Sequence, residues 1–305
     1  MGLDRSEGSH IQTFLLADKS IRGVILDGTL LVQEMQNRHE LGALETLILG
    51  QAMLVTALMA SLLKGQDGIG LRIDCTGPVK GLVTEATAKG EVRGYLKQVP
   101  IPLLRPLDSF ESIHNLNPYW QDGLLTISHY LEGSRQPFNG NIALQSGNIA
   151  SEVTHYYQIS EQLPTAMNVT VFLDIEGKVA GAGGLLLQSM PGTSDKLFTT
   201  LEQKTKNLPS LGKALARGQK ISPWLHKQFA PFHLDILGEH PVHFYCRCDA
   251  LRIRRLLLHL PLADLEEMRD NGPFPVQVSC HFCNKEYHFD QQTLTELCQE
   301  KRTCT

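Results

Sequence analysis

The chain lacks an excess of positive charge. Its 28 lysines and arginines are outnumbered by 32 aspartates and glutamates, so the formal net charge is -4. Such a balance provides no global attraction to nucleic acid or anionic lipid, although a local basic patch is compatible with it. We therefore expect neither nucleic acid nor a membrane among the partners.

The first ten residues lack the apolar core of a secretory signal, so we expect a cytoplasmic protein whose cysteines are reduced. One run without charge, residues 46–63, is borderline in length for a membrane span. Gly50, Gln51, Thr56 and Ser61 dilute its apolar character. The run therefore predicts a buried core helix.

Internal repeats, low-complexity tracts and recognisable catalytic motifs are also missing. No Ser-His-Asp pattern occurs, and the glycines at 181–184 lack the spacing of a dinucleotide-binding loop. An enzyme would have to use isolated groups such as His129, His155 or Glu161, which are common in any fold. We expect no enzyme and no catalytic residues, and we keep an enzyme with a purely structural metal site as an alternative.

The order of predicted elements indicates an α+β fold. Residues 11–35 predict two or three strands, residues 68–95 a meander, and residues 169–188 a hairpin that turns at Gly177. Runs of strands with segregated helices favour a mixed sheet packed with helices over a doubly wound sheet. We assign residues 1–192 to this N-terminal domain.

From residue 193 the pattern becomes helical and is interrupted by proline and glycine. Leucines recur at roughly helical spacing, and Ser222-Pro223 favours the start of a second helix. These apolar positions could be ordinary packing sites or parts of a connector of marginal stability. We assign 193–240 to a helical linker and 241–305 to a small C-terminal domain.

Four cysteines form two close pairs in that C-terminal region. Cys246 and Cys248 are followed, after 31 residues, by Cys280 and Cys283. In a reducing compartment this spacing favours metal over disulfides, and four thiolates suit one tetrahedral zinc ion with no open position. His281 and His288 lie nearby, but the four cysteines already complete the site.

The local sequence around the pairs supports this ligand set. Residues 275–279 and 285–289 predict a hairpin around the second pair, with Asn284 at a positive φ. Asp249 and Asp290 are predicted helix caps. Of the remaining cysteines, we expect Cys75 to be buried in a strand, and Cys298 and Cys304 to be surface thiols.

The two cysteines of each pair are near neighbours in the chain, so they can also be oxidised to a disulfide with each other. A thiolate held by zinc remains a nucleophile towards peroxide or hypochlorite, and its oxidation removes a ligand. Chemistry alone leaves an inert structural zinc and a redox switch equally open. A zinc ribbon that binds nucleic acid is a further alternative, opposed mainly by the acidic balance.

The chain resembles the redox-regulated 33-kDa heat-shock chaperone family of bacteria. Besides the cysteine pairs, the resemblance lies in these segments: Ile21-Arg22-Gly23, GPVKGLVTEATAKGEVRGY (77–95), SGNIASEVTHYYQISEQLPT (146–165) and GAGGLLLQSMPG (181–192). It covers essentially the whole chain.

The resemblance implies an ATP-independent holdase that binds unfolding proteins under oxidative stress. It implies that the reduced, zinc-bound protein is inactive, and that oxidation joins Cys246 to Cys248 and Cys280 to Cys283 and releases zinc. Unfolding of the zinc domain and linker then exposes apolar surface, and a homodimer is expected on activation.

Overall fold

The structure, a computed structural model, describes residues 8–104 and 116–303. The chain divides into two compact units, Met1–Tyr245 and Cys246–Thr305. The helices that lie between residues 193 and 240 belong to the first unit. The division of the sequence into three parts, with a helical linker at 193–240, stays a prediction.

The first unit contains a five-stranded antiparallel sheet. Its strands, in spatial order, are β10 (Leu234–Pro241), β1 (His10–Leu16), β2 (Ile21–Asp27), β9 (Val179–Ser189) and β8 (Thr165–Leu173). The predicted hairpin is confirmed, since β8 and β9 pair directly and Gly177 in their turn has φ +77°. A positive φ is the conformation that glycine adopts most easily.

A six-stranded sheet is the second layer of this unit. Its strands, in spatial order, are β11 (His243–Phe244), β5 (Glu91–Leu96), β4 (Gly81–Thr87), β3 (Gly68–Cys75), β6 (Gly123–Tyr130) and β7 (Phe138–Ala143). Only the short β11–β5 pair among these is parallel, so the predicted meander and the α+β class are confirmed.

Seven α-helices lie in the described part of the first unit. They are α1 (Thr29–His39), α2 (Ala43–Ala60), α3 (Asn117–Trp120), α4 (Ile149–Tyr156), α5 (Asp195–Lys206), α6 (Leu211–Ala216) and α7 (Ile221–Gln228). Helix α2 alone among the described helices has the length and composition to cross a membrane, yet 89% of its 18 residues are buried inside the protein. Since α2 packs against strands of both sheets, the prediction of a core helix is confirmed.

The sequence prediction of strand through residue 35 is wrong at its end, where α1 begins. The Asp27 carboxylate accepts hydrogen bonds from the Thr29 amide, at 3.0 Å, and from the Thr29 hydroxyl, at 2.8 Å. The first backbone amides of a helix have no acceptor within the helix, and the Asp27 carboxylate supplies one for the Thr29 amide. Leu31, Val32 and Met35 are then buried on one side of the helix. An apolar run this short fits the pattern of a strand as well as that of a helix, so the sequence alone does not distinguish the two.

The five-stranded sheet is apolar on both faces. On β2, Val24 and Leu26 face the core shared with α2, whereas Ile21 and Ile25 face a second core. Helices α5, α6 and α7 cover this second face. They bury the following side chains there: Leu201, Leu211, Leu215, Ile221, Trp224, Leu225 and Phe229.

Helix α6 approaches the sheet closely because glycine lies on both sides of the contact. A Cβ atom on Gly181 of β9 would lie 2.1 Å from the Gly212 carbonyl oxygen. A Cβ atom on Gly212 would lie 2.9 Å from the carbonyl oxygens of Gly181 and Thr170. Any larger residue at either position would therefore move α6 away from the strands.

The second unit is a small α+β domain. It contains α8 (Ala250–Leu258), α9 (Leu262–Asn271), the hairpin β12 (Val276–Ser279) and β13 (Glu286–Phe289), and α10 (Gln291–Thr303). Eight buried side chains form its core: Ile253, Leu257, Leu265, Tyr287, Phe289, Leu294, Leu297 and Cys298.

The placement of Cys298 corrects one expectation. Its side chain is 1% exposed, so it is a core residue and not a surface thiol. Cys298 lies between Leu294 and Lys301 on the face of α10 that packs on α9, a position set by helix periodicity and not by nearness to the terminus. Cys304 lies outside the described residues. Cys75, expected to be buried, is half-buried on β3.

Candidate metal centre

The first cysteine pair lies immediately before α8. The Asp249 carboxylate accepts a hydrogen bond of 2.7 Å from the Arg252 amide and so caps the helix, as predicted. Because the cap fixes where the helix begins, Cys246 and Cys248 lie in the irregular segment just before its first turn.

The second pair occupies the turn of the β12–β13 hairpin. The Cys280 amide donates to the Lys285 carbonyl at 2.9 Å, and the Asn284 amide donates to the Cys280 carbonyl at 2.8 Å. Asn284 has φ +57°, a conformation that asparagine tolerates better than most residues. The predicted hairpin and the positive φ of Asn284 are both confirmed.

The two pairs meet in space and bring four sulfur atoms together. All four Sγ atoms lie within 4.8 Å of one another. The Sγ atoms of Cys246 and Cys280 are 3.7 Å apart, and those of Cys248 and Cys283 are 3.2 Å apart. A tetrahedral ion with metal–sulfur bonds of about 2.3 Å has sulfur–sulfur edges of about 3.8 Å. The four cysteines could therefore hold one metal ion.

The pKa of the Cys248 thiol is shifted in the opposite direction from those of the Cys280 and Cys283 thiols. Burial opposes ionisation of Cys248, but the Tyr287 hydroxyl and the other three cysteines outweigh it and lower the pKa of the Cys248 thiol to about 7. Burial raises the pKa of the Cys280 and Cys283 thiols above the ordinary value. Four thiolates so close together would repel strongly, so full ionisation requires a cation among them.

Tyr287 supplies a second observation that fits a metal ion. Its hydroxyl is buried and has no hydrogen bond of normal geometry within the described residues. It nevertheless lies close enough to the Cys248 sulfur to favour the thiolate. Ligands of metal ions are commonly oriented by such donors, and a metal-bound thiolate would accept this hydrogen bond. Sequence reasoning missed Tyr287, since only the β12–β13 pairing places it beside the cysteines.

The two neighbouring histidines are not part of the cluster. His281 is exposed, and His288 is exposed and lies 4.0 Å from the Glu286 carboxylate. The cluster of metal-competent side chains found in the described residues contains the four cysteines alone. A ligand set of cysteines only, as expected from spacing, agrees with this arrangement.

The isolated acid/base candidates are partly brought together. His129 Nε2 lies 3.6 Å from a carboxylate oxygen of Glu161, which accepts a hydrogen bond of 2.7 Å from the Tyr156 hydroxyl. His155 instead contacts Gln145 at 3.1 Å. The glycines at 181–184 lie inside β9 and form no loop. The Tyr156 bond joins the π-helical turn Tyr157–Glu161 to the end of α4, and the His129 contact joins the same turn to β6.

Comparison with known proteins agrees with this geometry. A family model described as Hsp33 protein matches residues 9–290. The 33 kDa chaperonin of Geobacillus kaustophilus is 30% identical over 292 residues, covering 96% of this chain and 98% of the relative. The 33 kDa chaperonin of Levilactobacillus brevis is 34% identical over 280 residues, covering 92% and 94%.

A solved structure extends the agreement to the fold. The crystal structure of the 33 kDa chaperonin of Thermotoga maritima matches with a TM-score of 0.85 at 28% identity, covering 97% of this chain and 100% of that one. The family model and the relatives both span nearly the whole chain, including both cysteine pairs. The chain belongs to the Hsp33 protein family of chaperones.

Proposed function

We propose that this chaperone is an ATP-independent holdase that protects unfolding proteins during oxidative stress. It is inactive while reduced and zinc-bound, and oxidation of its cysteine pairs activates it. The observation that carries this proposal is the meeting of four sulfur atoms, from two separate segments of a unit whose described hydrophobic core cluster contains eight buried side chains.

The zinc assignment rests on the donor set. Four soft thiolates in a tetrahedral arrangement suit one zinc ion, which when bound neutralises the thiolates and joins the two pairs. Cys246 and Cys248 then anchor the start of α8, while Cys280 and Cys283 anchor the hairpin turn. Zinc binding by small domains stabilises them by about 10–16 kcal/mol, more than the whole stability of most domains.

Oxidation would remove these ligands through the chemistry of the cysteines themselves. Hydrogen peroxide takes two electrons from one thiolate, leaving a sulfenic acid and hydroxide. The other thiol of the pair attacks the sulfenic sulfur, the S–S bond forms, and water leaves. Each disulfide consumes one peroxide, whose oxygen atoms end as two water molecules once the hydroxide has taken up a proton from solvent. Loss of two thiolates would release a bound metal ion.

The pairs that oxidise are proposed as Cys246 with Cys248 and Cys280 with Cys283. All four sulfur atoms are within 4.8 Å, so distance alone permits other pairings. The family resemblance favours pairing within each motif, which is also the pairing that leaves the two chain segments unconnected. Peptide mapping of the oxidised protein tests it, and a disulfide from Cys246 to Cys280 or from Cys248 to Cys283 would overturn it.

Unfolding of the second unit and of residues 193–240 would then expose apolar surface. Seven buried side chains of α5–α7 cover one face of the five-stranded sheet. Each such side chain contributes about 1.5–3 kcal/mol when buried, so the exposed face offers substantial affinity for unfolded clients. We further propose that the active form is a homodimer and that the protein works in the cytoplasm without catalytic residues.

An aggregation assay tests the proposal. Zinc-loaded reduced protein and peroxide-treated protein are each mixed with a chemically unfolded client in the absence of nucleotide. We expect only the oxidised protein to suppress light scattering. The variant Cys75→Ala, outside the cluster, should behave like the parent, whereas Cys248→Ser should lose the dependence on oxidant. Activity that needs reduced protein together with a nucleotide or an oligonucleotide would refute the proposal.

A further inference from the structure

The segment that carries α6 and α7 has a charge pattern opposite to that of the whole chain. Residues 203–234 contain no aspartate or glutamate, although the formal net charge of the protein is -4. The same segment contains six cations: Lys204, Lys206, Lys213, Arg217, Lys220 and Lys227. An acid-free basic run in an acidic protein produces a local positive potential.

Three of these cations line one concave site between α6 and α7. Lys213 lies on α6, Arg217 follows its last turn, and Lys227 lies on α7. They border a cavity of about 210 Å³ together with Ser210 and Trp224. Among the described residues that line this cavity there is no aspartate or glutamate.

Two cations at the mouth of this cavity are accessible to a ligand. Arg217 and Lys227 are exposed and take part in no ion pair within residues 8–104 and 116–303. The Lys213 ammonium lies 5.4 Å from the centre of the Phe172 ring, at the edge of β8. Arg217 and Lys227 are like charges beside one cavity and repel each other, and an anion between them would remove that repulsion.

We propose that the cavity between α6 and α7, bordered by Lys213, Arg217 and Lys227, binds the phosphate groups of a short polyphosphate chain. Arg217 presents a planar donor fork that suits phosphate oxygens, and the two lysines add point charges. Trp224 is 5% exposed, so the cavity offers no aromatic face for stacking a base. The cavity therefore recognises the phosphate groups of a ligand and not a nucleoside.

Bound polyphosphate links α6 to α7 and strengthens their packing on the five-stranded sheet. The same helices cover the apolar face that holds Leu215 and Trp224. Anion binding is a property of the folded protein and does not depend on the redox switch. If the proposed switch also holds, polyphosphate keeps the apolar face covered and delays activation.

Isothermal titration of the full-length reduced protein with sodium tripolyphosphate tests the site. We expect saturable binding of one ligand, and at least a tenfold loss of affinity in the double variant Arg217→Gln/Lys227→Gln. The matched control is Lys206→Gln/Lys220→Gln, which removes the same charge from the same segment outside the cavity, and it should lose less than twofold. Equal losses in both variants would show general charge attraction and overturn the proposal.

A measurement on the unaltered protein keeps the test independent of how the variants fold. Amide resonances of residues 209–228 should shift as tripolyphosphate is added, with those of α8 unchanged. Orthophosphate, ATP and a single-stranded oligonucleotide are compared at equal phosphate concentration. Tripolyphosphate should bind most tightly; an oligonucleotide that binds more tightly, or shifts centred on α8, would overturn the proposal.

Discussion

The sulfur atoms of Cys248 and Cys283 lie 3.2 Å apart although 35 positions separate the two residues in the chain. Between them lie α8, α9 and strand β12, so this contact closes a loop that contains three of the five elements of the second unit that the structure describes. A unit closed by one cluster of cysteines depends on that cluster for its stability.

Removal of the metal from the reduced protein should unfold the second unit. With eight buried core side chains, residues 246–303 have little stability of their own. We expect a strong zinc chelator, without any oxidant, to abolish amide hydrogen-exchange protection in α8 and α10. Protection in β2 and β3 of the first unit is the internal control and should persist. Full protection of α8 after complete chelation would contradict this dependence.

Substitution of Tyr287 by phenylalanine should weaken metal binding without unfolding the unit. The ring remains buried, but the hydroxyl that favours the Cys248 thiolate is removed. Loss of a residue that hydrogen-bonds to a metal ligand typically reduces metal affinity by about 10–100-fold. Competition with a chromophoric chelator measures the change, and Tyr245→Phe, at an exposed tyrosine, is the control. If Tyr287→Phe and the parent bind the metal with equal affinity, Tyr287 does not contribute to metal binding.

Substitution of Gly212 by valine should loosen the layer formed by α5, α6 and α7. The added side chain would meet the carbonyl oxygens of Gly181 and Thr170, and backbone cannot move aside easily. Overpacking of this kind reduces the free energy of unfolding by about 1–3 kcal/mol. We expect a lower urea midpoint and partial client protection by the reduced, zinc-loaded variant.

The control for this substitution is Gly238→Ala on β10. A Cβ atom there has only the Thr13 hydroxyl at 4.0 Å, so the urea midpoint should stay close to that of the parent. If the Gly212→Val protein has unchanged stability and no activity when reduced, the α5–α7 layer takes no part in the proposed switch.

Acid should destabilise the first unit through His240. Burial lowers the pKa of His240 on β10, with Glu239 opposing the shift. A group with a lowered histidine pKa binds fewer protons in the folded state than in the unfolded state. The folded state is therefore unaffected above the unfolded pKa and loses stability as pH falls through the interval between the two pKa values.

The measurement for His240 is the urea midpoint at about pH 7.5 and at about pH 5.5, on either side of the ordinary histidine pKa. We expect the midpoint of the parent to fall more than that of His240→Gln, since glutamine does not titrate. The same fall in both proteins would assign the acid sensitivity to other groups.

Much of the candidate site could be predicted because its determinants are local. The caps at Asp249 and Asp290, the hairpin turn at Asn284 and the paired cysteines are all set by residues a few positions apart. The two elements that sequence reasoning placed wrongly, α1 and the face of α10 that buries Cys298, depend on packing against other elements. Tyr287 and the Gly181–Gly212 contact arise from strand pairing and helix docking, which local patterns do not encode.

The central claim is that loss of the metal and gain of chaperone activity are one event. It is tested most directly in a single cuvette, where zinc release is followed by a chromophoric chelator and client aggregation by light scattering after peroxide is added at mild heat. The account predicts that zinc release and client protection rise together, without nucleotide, and that a thiol reductant with zinc reverses both. Complete zinc release while the client aggregates as it does alone would contradict it.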